Sequence, residues 1–280
     1  MNHPPDPVPS AEVAPALEIR GVSKTYPGGK ALDTTDLAIA PGEFVSLVGP
    51  SGCGKSTLLS MIAGLLTPDT GTIVLDGEDI AGRPAGRRAA GGRAMVFQEP
   101  ALMPWLSVGK NVEYGLRARG VPRDERRRRA LEALAMVGLE AVAGQQPHEL
   151  SGGMRQRAAI ARALVLHPRV LLMDEPFSAL DVGTRTVLHE ELQRIYLETR
   201  PAVVFVTHNL MEAAFLADTV YLLSPSPGRV VQRYDIDVER PRAESDPRLV
   251  AIRNDMLERM RAATRDTGAA AREASMDGVA

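Results

Sequence analysis

"VGPSGCGKSTLL", Val48 to Leu59, is the stretch on which the fold turns. Gly49, Pro50, Ser51, Gly52, Cys53, Gly54, Lys55 and Ser56 fit the pattern G-x-x-x-x-G-K-[ST]. A short apolar run, "FVSLVG" from Phe44 to Gly49, precedes it, and an apolar helical run, "KSTLLSMIAGLL", follows. That strand–turn–helix setting separates a phosphate loop from a glycine-rich turn with a capping serine. The glycines let backbone N–H groups wrap an anion, and the helix start adds a favourable dipole. In such a loop Lys55 reaches the β- and γ-phosphates and the Ser56 hydroxyl, next to Thr57, ligates Mg²⁺.

Outward from this loop the pattern alternates strands and helices. "RVLLMDEP" (Arg169 to Pro176) and "AVVFVTHN" (Ala202 to Asn209) are continuous apolar runs, as expected of parallel strands covered on both faces. "GTIVLDG" (Gly71 to Gly77) reads as a further strand between turn residues. The fold class is α/β, a P-loop NTPase. Acids ending a buried strand are costly without a cation or polar partners. Asp174 therefore suits a Mg²⁺ shell, through water, and Glu175 a general base on the attacking water; taken alone, the same pair would also serve to end a strand and cap a helix. His208 ends another apolar strand, where a γ-phosphate contact would sit, although a lone histidine is most often structural. His3, His148, His167 and His189 lack that setting and are assigned no chemistry. Gln98, in "AMVFQEP", follows a short strand, and its side-chain carbonyl would join the metal and water shell.

Composition bounds the rest. With 44% hydrophobic and 24% charged residues, the 280-residue chain has ample material for a core. A net charge of −2 offers no basic field for nucleic acid, and one cysteine excludes an internal disulfide framework. No apolar run is long enough to span a bilayer, and the Pro-rich start "MNHPPDPVPSAEVAPA" lacks the features of a secretion signal. The expected organisation is a disordered arm over 1–15, an ATPase domain over 16–261 and a flexible tail over 262–280. A mainly helical insertion spans about 101–165, a hairpin follows at "TVYLLSPSPGRVVQRYDID", and a last helix covers about Pro247 to Arg261. The basic run "RDERRRR" (Arg123 to Arg129) reads as a solvated helix face, since no aromatic residues interleave with it. "AGRPAGRRAAGGRAM" (Ala81 to Met95) is a loop without assigned chemistry.

In order along the chain stand the phosphate loop, Gln98, "LSGG" (Leu150 to Gly153), "LLMDEP", "SALD" (Ser178 to Asp181) and His208. This series resembles the ATP-binding subunits of ABC transporters over about Leu17 to Arg233. The resemblance implies a RecA-like parallel sheet core with an antiparallel β subdomain and a helical signature subdomain. It further implies a head-to-tail homodimer, with ATP held between one copy's phosphate loop and the other's signature. Ser151, Gly152 and Gly153 would then contact the γ-phosphate bound at the partner copy's loop, and Asp181 would border the same nucleotide. Ser151 is equally suited to capping its helix, and the two roles are compatible. Tyr26, in "KTYPGG", matches the aromatic residue that stacks on adenine; packing beside the Pro-Gly turn would explain it as well.

"FQEPALMPWLSVGKNV" (Phe97 to Val112), the Met154-containing signature and "LLSPSPGRV" resemble the nitrate/sulfonate/taurine importer branch. That implies integral-membrane permease subunits, a periplasmic or extracellular substrate-binding protein, and a peripheral position on the cytoplasmic face of the inner membrane. Met103, Pro104, Trp105 and Leu106 would either receive a permease helix or pack inside the helical insertion. An exporter subunit, a soluble ABC ATPase and a non-hydrolysing regulator are the alternatives. Glu175 and His208 speak against the last, and the short interval from Lys55 to Ser151 leaves no room for the coiled-coil insertion of many soluble members. Within the loop, Cys53 raises the expectation that thiol reagents inactivate the protein.

Overall fold

The computed structural model describes residues 14–82 and 92–277, with side chains described up to residue 265. Most of the 1–15 arm and of the loop over 81–95 lies outside the described residues. The centre is a six-stranded sheet in the order β10-β9-β3-β8-β7-β6. Its strands are β3 (Phe44–Val48), β6 (Arg93–Val96), β7 (Val170–Asp174), β8 (Ala202–Thr207), β9 (Thr219–Leu223) and β10 (Val230–Asp235). β6, β7, β8, β3 and β9 are parallel. Only β10 runs against its neighbour, closing the expected hairpin.

Side-chain alternation along these strands splits the interior in two. Val45, Leu47, Val170, Leu172, Val204 and Val206 face Leu58, Leu59 and Ile62 of α1 (Lys55–Ala63). Beyond α1 lies a second sheet of four antiparallel strands, ordered β2-β1-β4-β5. These are β1 (Leu17–Tyr26), β2 (Gly29–Ile39), β4 (Thr70–Leu75) and β5 (Glu78–Asp79). Phe44, Leu171, Met173, Val203 and Phe205 point the other way, into a core shared with the remaining helices. Two covered faces explain why the parallel strands read as unbroken apolar runs. The β1–β4 pairing crosses close over Gly71 (φ +82), where a Cβ would stand 2.4 Å from the Arg20 carbonyl oxygen.

The insertion is helical as expected: α2 (Val108–Ala118), α3 (Arg123–Met136) and α4 (Gly152–Leu164). The basic run lies on α3, with Arg126 paired to Glu113 at 3.1 Å, Arg128 to Glu132 at 2.7 Å, and Arg129 donating to the Val165 carbonyl. Beyond β7 and β8 follow α5 (Val182–Thr199) and α6 (Leu210–Leu216). The last helix, α7, runs Pro247–Asp277 instead of stopping near Arg261. The alanines over 262–274 are the best helix formers, and the single Gly268 does not end the helix.

Candidate functional site

The phosphate loop joins β3 to α1 at the carboxyl edge of the parallel sheet, with β3 set between its parallel neighbours β8 and β9. Gly54 takes a left-handed conformation (φ +91) immediately before α1, and a Cβ there would lie 2.7 Å from the Ala31 carbonyl oxygen. The loop is thus clamped against β2 on one side. On the other, Gly228 lies so close to the Cys53 carbonyl that no side chain fits, and its amide donates to Ala31. Lys55 is buried, its Nζ donating to the carbonyls of Gly49 (2.8 Å) and Pro50 (2.9 Å). The first-turn amides of α1 have no intrahelical acceptor and point into the same hollow. Cys53 is fully buried and burial pushes its thiol up. A buried thiol with a raised pKa is expected to alkylate slowly, which works against the inactivation expected from its position in the loop.

The predicted strand-end residues converge on this edge. Ser56 Oγ donates to Asp174 Oδ1 at 2.9 Å, across 118 positions of sequence. Burial holds the Asp174 carboxyl above its usual range, and the neighbouring Glu175 charge adds to this against the opposing Ser56 bond. Glu175 adopts a left-handed backbone (φ +43), rare for a glutamate, and its amide donates to the Val206 carbonyl at 2.9 Å. Its Oε2 lies 2.8 Å from Nδ1 of the exposed His208. Gln98 is exposed just past β6, beside β7, and so reaches the same edge. Tyr26, 42% exposed, ends β1 where it turns into β2, the strand that clamps the loop.

The signature stands apart. No hydrogen bond or ion pair joins Ser151–Gly153 to Gly49–Thr57 among the described residues. Ser151 caps α4, its Oγ accepting from the Met154 amide at 3.3 Å. Gly153 is required by packing: a Cβ there would stand 2.7 Å from Thr184 of α5. Gly152 is less confined, with Leu180 at 3.4 Å, and as first-turn residues of α4 both glycines have amides without an intrahelical acceptor. Asp181 caps α5, accepting from the Thr184 amide at 3.0 Å and hydroxyl at 2.7 Å. Signature and "SALD" segment thus pack together through Leu180 and Gly152, with Ser151 and Asp181 exposed.

The sequence profile described as ABC transporter matches residues 32–178, more than half of the chain. The chain belongs to the ABC transporter family. The cassette is 44% identical to the taurine import ATP-binding protein TauB of Yersinia pestis, over 86% of this chain and 95% of that one. It is 45% identical to an ABC transporter ATP-binding protein of Methanocaldococcus jannaschii, over 81% and 83% of the two chains. Among solved structures, a dimeric cassette in a post-hydrolysis state with ADP and Pi superposes with a TM-score of 0.69 at 34% identity, over 80% of this chain and all of that one. The cbiO1 protein of Clostridium perfringens, part of the ABC transporter complex cbiONQ, gives 0.71 at 29% identity, over 80% and 89%. The cassette is an ATPase subunit of the importer type, and the relatives bear out the resemblance to the nitrate/sulfonate/taurine branch.

Two features of the cassette were not legible from spacing. Trp105 is 75% exposed, so the apolar cluster Met103–Leu106 is not simply packed inside the insertion. Its loop is pinned by fully buried Asn111, whose Nδ2 donates to the carbonyls of Met103, Leu106 and Ser107 and whose Oδ1 accepts from the Met103 amide at 2.7 Å. His189, assigned no chemistry from sequence, is buried between two carboxylates, Glu212 and Glu244. The usable signal was Arg185 and His189, four apart on one helix face.

Proposed function

We propose that this cassette hydrolyses ATP at a site shared by two copies of the chain and so drives uptake of a small anion such as nitrate, a sulfonate or taurine. The observation that carries the hydrolytic reading is the Glu175–His208 pair, standing beside Ser56–Asp174 at the mouth of the phosphate loop. Lys55 exchanges its two loop carbonyls for β- and γ-phosphate oxygens, while the α1 amides hold the β-phosphate. Glu175 orients a water towards the γ-phosphorus and takes up its proton. His208 fixes that carboxylate and touches the γ-phosphate. Tyr26 offers its ring to adenine.

Ser56 and Asp174 supply adjacent hard oxygens, and among the described residues no cation makes a hydrogen bond to Asp174, the Lys55 charge acting on it only through space. Such a donor set fits Mg²⁺, which takes one or two protein oxygens together with phosphates. Ser56 would hold it directly, Asp174 through water, and the Gln98 carbonyl would complete the shell. When bound, the ion offsets phosphate charge.

Ser151 and the amides of Gly152 and Gly153 would complete the site from the second copy, since among the described residues no hydrogen bond or ion pair joins them to the loop of their own chain. The cassette would work on the cytoplasmic face of the cell membrane, against two permease subunits fed by an external substrate-binding protein. Among the described residues no helix is long and apolar enough to cross a membrane. The exposed Trp105 loop is the surface offered to the permease. The test is reconstitution with the cognate permease and binding protein, comparing ATP turnover with nitrate, taurine, an alkanesulfonate and a neutral solute. Stimulation by the anions alone is expected; equal turnover with every solute would overturn the transport reading. In the isolated chain, Glu175→Gln should keep ATP binding and lose turnover at least about a hundredfold, and brisk hydrolysis by that variant would contradict the assignment.

A further inference from the structure

On the sheet face opposite α1, directly behind His208, lies a buried carboxylate that the hydrolytic machinery above does not use. Glu212, in α6, is 4% exposed. Its Oε2 accepts from the Thr207 hydroxyl at 2.5 Å, and that hydroxyl accepts from the Asn209 amide at 3.0 Å. The Asn209 side chain caps α6 through the Met211 and Glu212 amides and donates to Glu212 Oε1 at 3.4 Å. Both neighbours of His208 are therefore tied to one carboxylate. Any displacement of Glu212 moves the residue that holds Glu175.

The second oxygen faces the other way. Within ion-pair range of Glu212 Oε1 lie His189 Nε2 at 3.4 Å and Arg185 Nε at 3.7 Å. Both nitrogens are buried, without hydrogen-bond alignment to any group. Arg185 also donates through Nη2 to the Leu180 carbonyl at 2.9 Å, inside "SALD". The Leu180 side chain lies against Gly152 of the signature. His189 is held from behind by Glu244 at 2.8 Å and by the edge of the Phe177 ring, centroids 5.1 Å apart. Burial pushes the Glu212 carboxyl up, but His189 and Thr207, with Arg185 behind them, outweigh it and keep it below its usual range.

A buried ion at this junction adds little stability over an apolar replacement. Its place between two functional loops is what the surroundings have in common. We propose that Glu212 is a positioning residue: it sets the His208–Glu175 pair from one oxygen and, through Arg185, ties that pair to the "SALD"–signature surface from the other. The inference rests on the hydrolytic reading of Glu175 and His208.

The test uses the full-length chain, measuring turnover against ATP concentration, equilibrium ATP binding and Tm for wild type, Glu212→Gln, Glu212→Ala and Thr207→Val. The expected result is a fall in kcat of roughly tenfold for Glu212→Ala with KM and ATP affinity within about twofold. Glu212→Gln, whose amide oxygen still accepts from Thr207, should recover part of the loss. Combining Glu212→Ala with Thr207→Val should cost less than the two single losses together, because both cut one link. Should Glu212→Ala fail to fold, the glutamine and valine variants carry the same comparison. Wild-type kcat in these variants, or strictly additive losses, would overturn the positioning role. Absence of hydrolysis by the wild-type chain would instead strike the underlying reading, so the two failures are told apart.

Discussion

The two ends of β3 are built on opposite plans. At its amino end, Phe44 N donates to Asp218 Oδ2 at 2.9 Å, the Tyr196 hydroxyl to the same oxygen at 2.8 Å, and Arg240 to Oδ1 at 2.7 Å. Burial pushes the Asp218 carboxyl up, but Arg240 and these bonds outweigh it and hold it below the usual carboxylate range. Beside it, Arg242 donates to the carbonyls that end α6, at the cost of a pKa drawn down by burial to about 10. At the carboxyl end, Asp174 has one hydroxyl donor and is held above its usual range. Lys55 there is satisfied by groups of its own loop, the Gly49 and Pro50 carbonyls and the Cys53 sulfur. One end is saturated and serves stability; the other keeps charge and donors in reserve for a ligand, as open parallel sheets do at their carboxyl edges.

Four substitutions would break or sharpen this contrast. Lys55→Ala should abolish ATP binding and lower turnover by about a thousandfold or more, with little change in the Tm of the free chain. A large fall in that Tm would mean that this end, too, is built for stability. Asp218→Ala leaves the buried Arg240 without its carboxylate and should cost about 3 kcal/mol in denaturant unfolding, while ATP affinity of the folded fraction is unchanged.

Asp174→Asn should act in the reverse sense. A carboxyl whose folded pKa is raised makes the folded state bind more protons than the unfolded one. Its ionisation therefore lowers stability as pH rises above the ordinary aspartate range, and the cost is fully present at neutral pH. The asparagine variant should gain about 1–3 °C in Tm at pH 7, lose the gain below about pH 4, and hydrolyse ATP poorly. Equal Tm values across that range would remove the claim of a strained site charge. The smallest effect is expected from Tyr196→Phe, which loses the hydroxyl bonds to Gly42 and Asp218. It should cost about 1 kcal/mol with turnover unaltered, and altered turnover would show that the two ends are coupled.

Much of the site was legible because its parts are short and carry their chemistry locally. The glycines, lysine and serine of the phosphate loop lie within eight positions, and Asp174, Glu175 and His208 each follow an apolar run that announces a strand end. The brace at Gly228, the Asn111 anchor and the Glu212 junction escaped that reading. Gly228 looks like any turn glycine until Cys53 is placed against it, and Glu212 looks like an ordinary helical acid until Thr207, His189 and Arg185 surround it. The antiparallel sheet was implied by resemblance and not by periodicity, because bulges interrupt the alternation of β1.

By itself the sequence determined which residues form the phosphate-loop pattern, where the parallel strands run and which helices form the insertion. Each of these follows from local spacing, from glycine's conformational freedom, or from whether one or both faces of a strand are covered. Only the tertiary structure decided that Gly153 is a packing glycine, that Cys53 is sealed from solvent, that the signature packs against the "SALD" segment, and that the helix expected to end near Arg261 continues. Those outcomes depend on which surfaces distant segments press together, and burial, not residue type, then sets whether a charge is stabilised, strained or kept for a ligand.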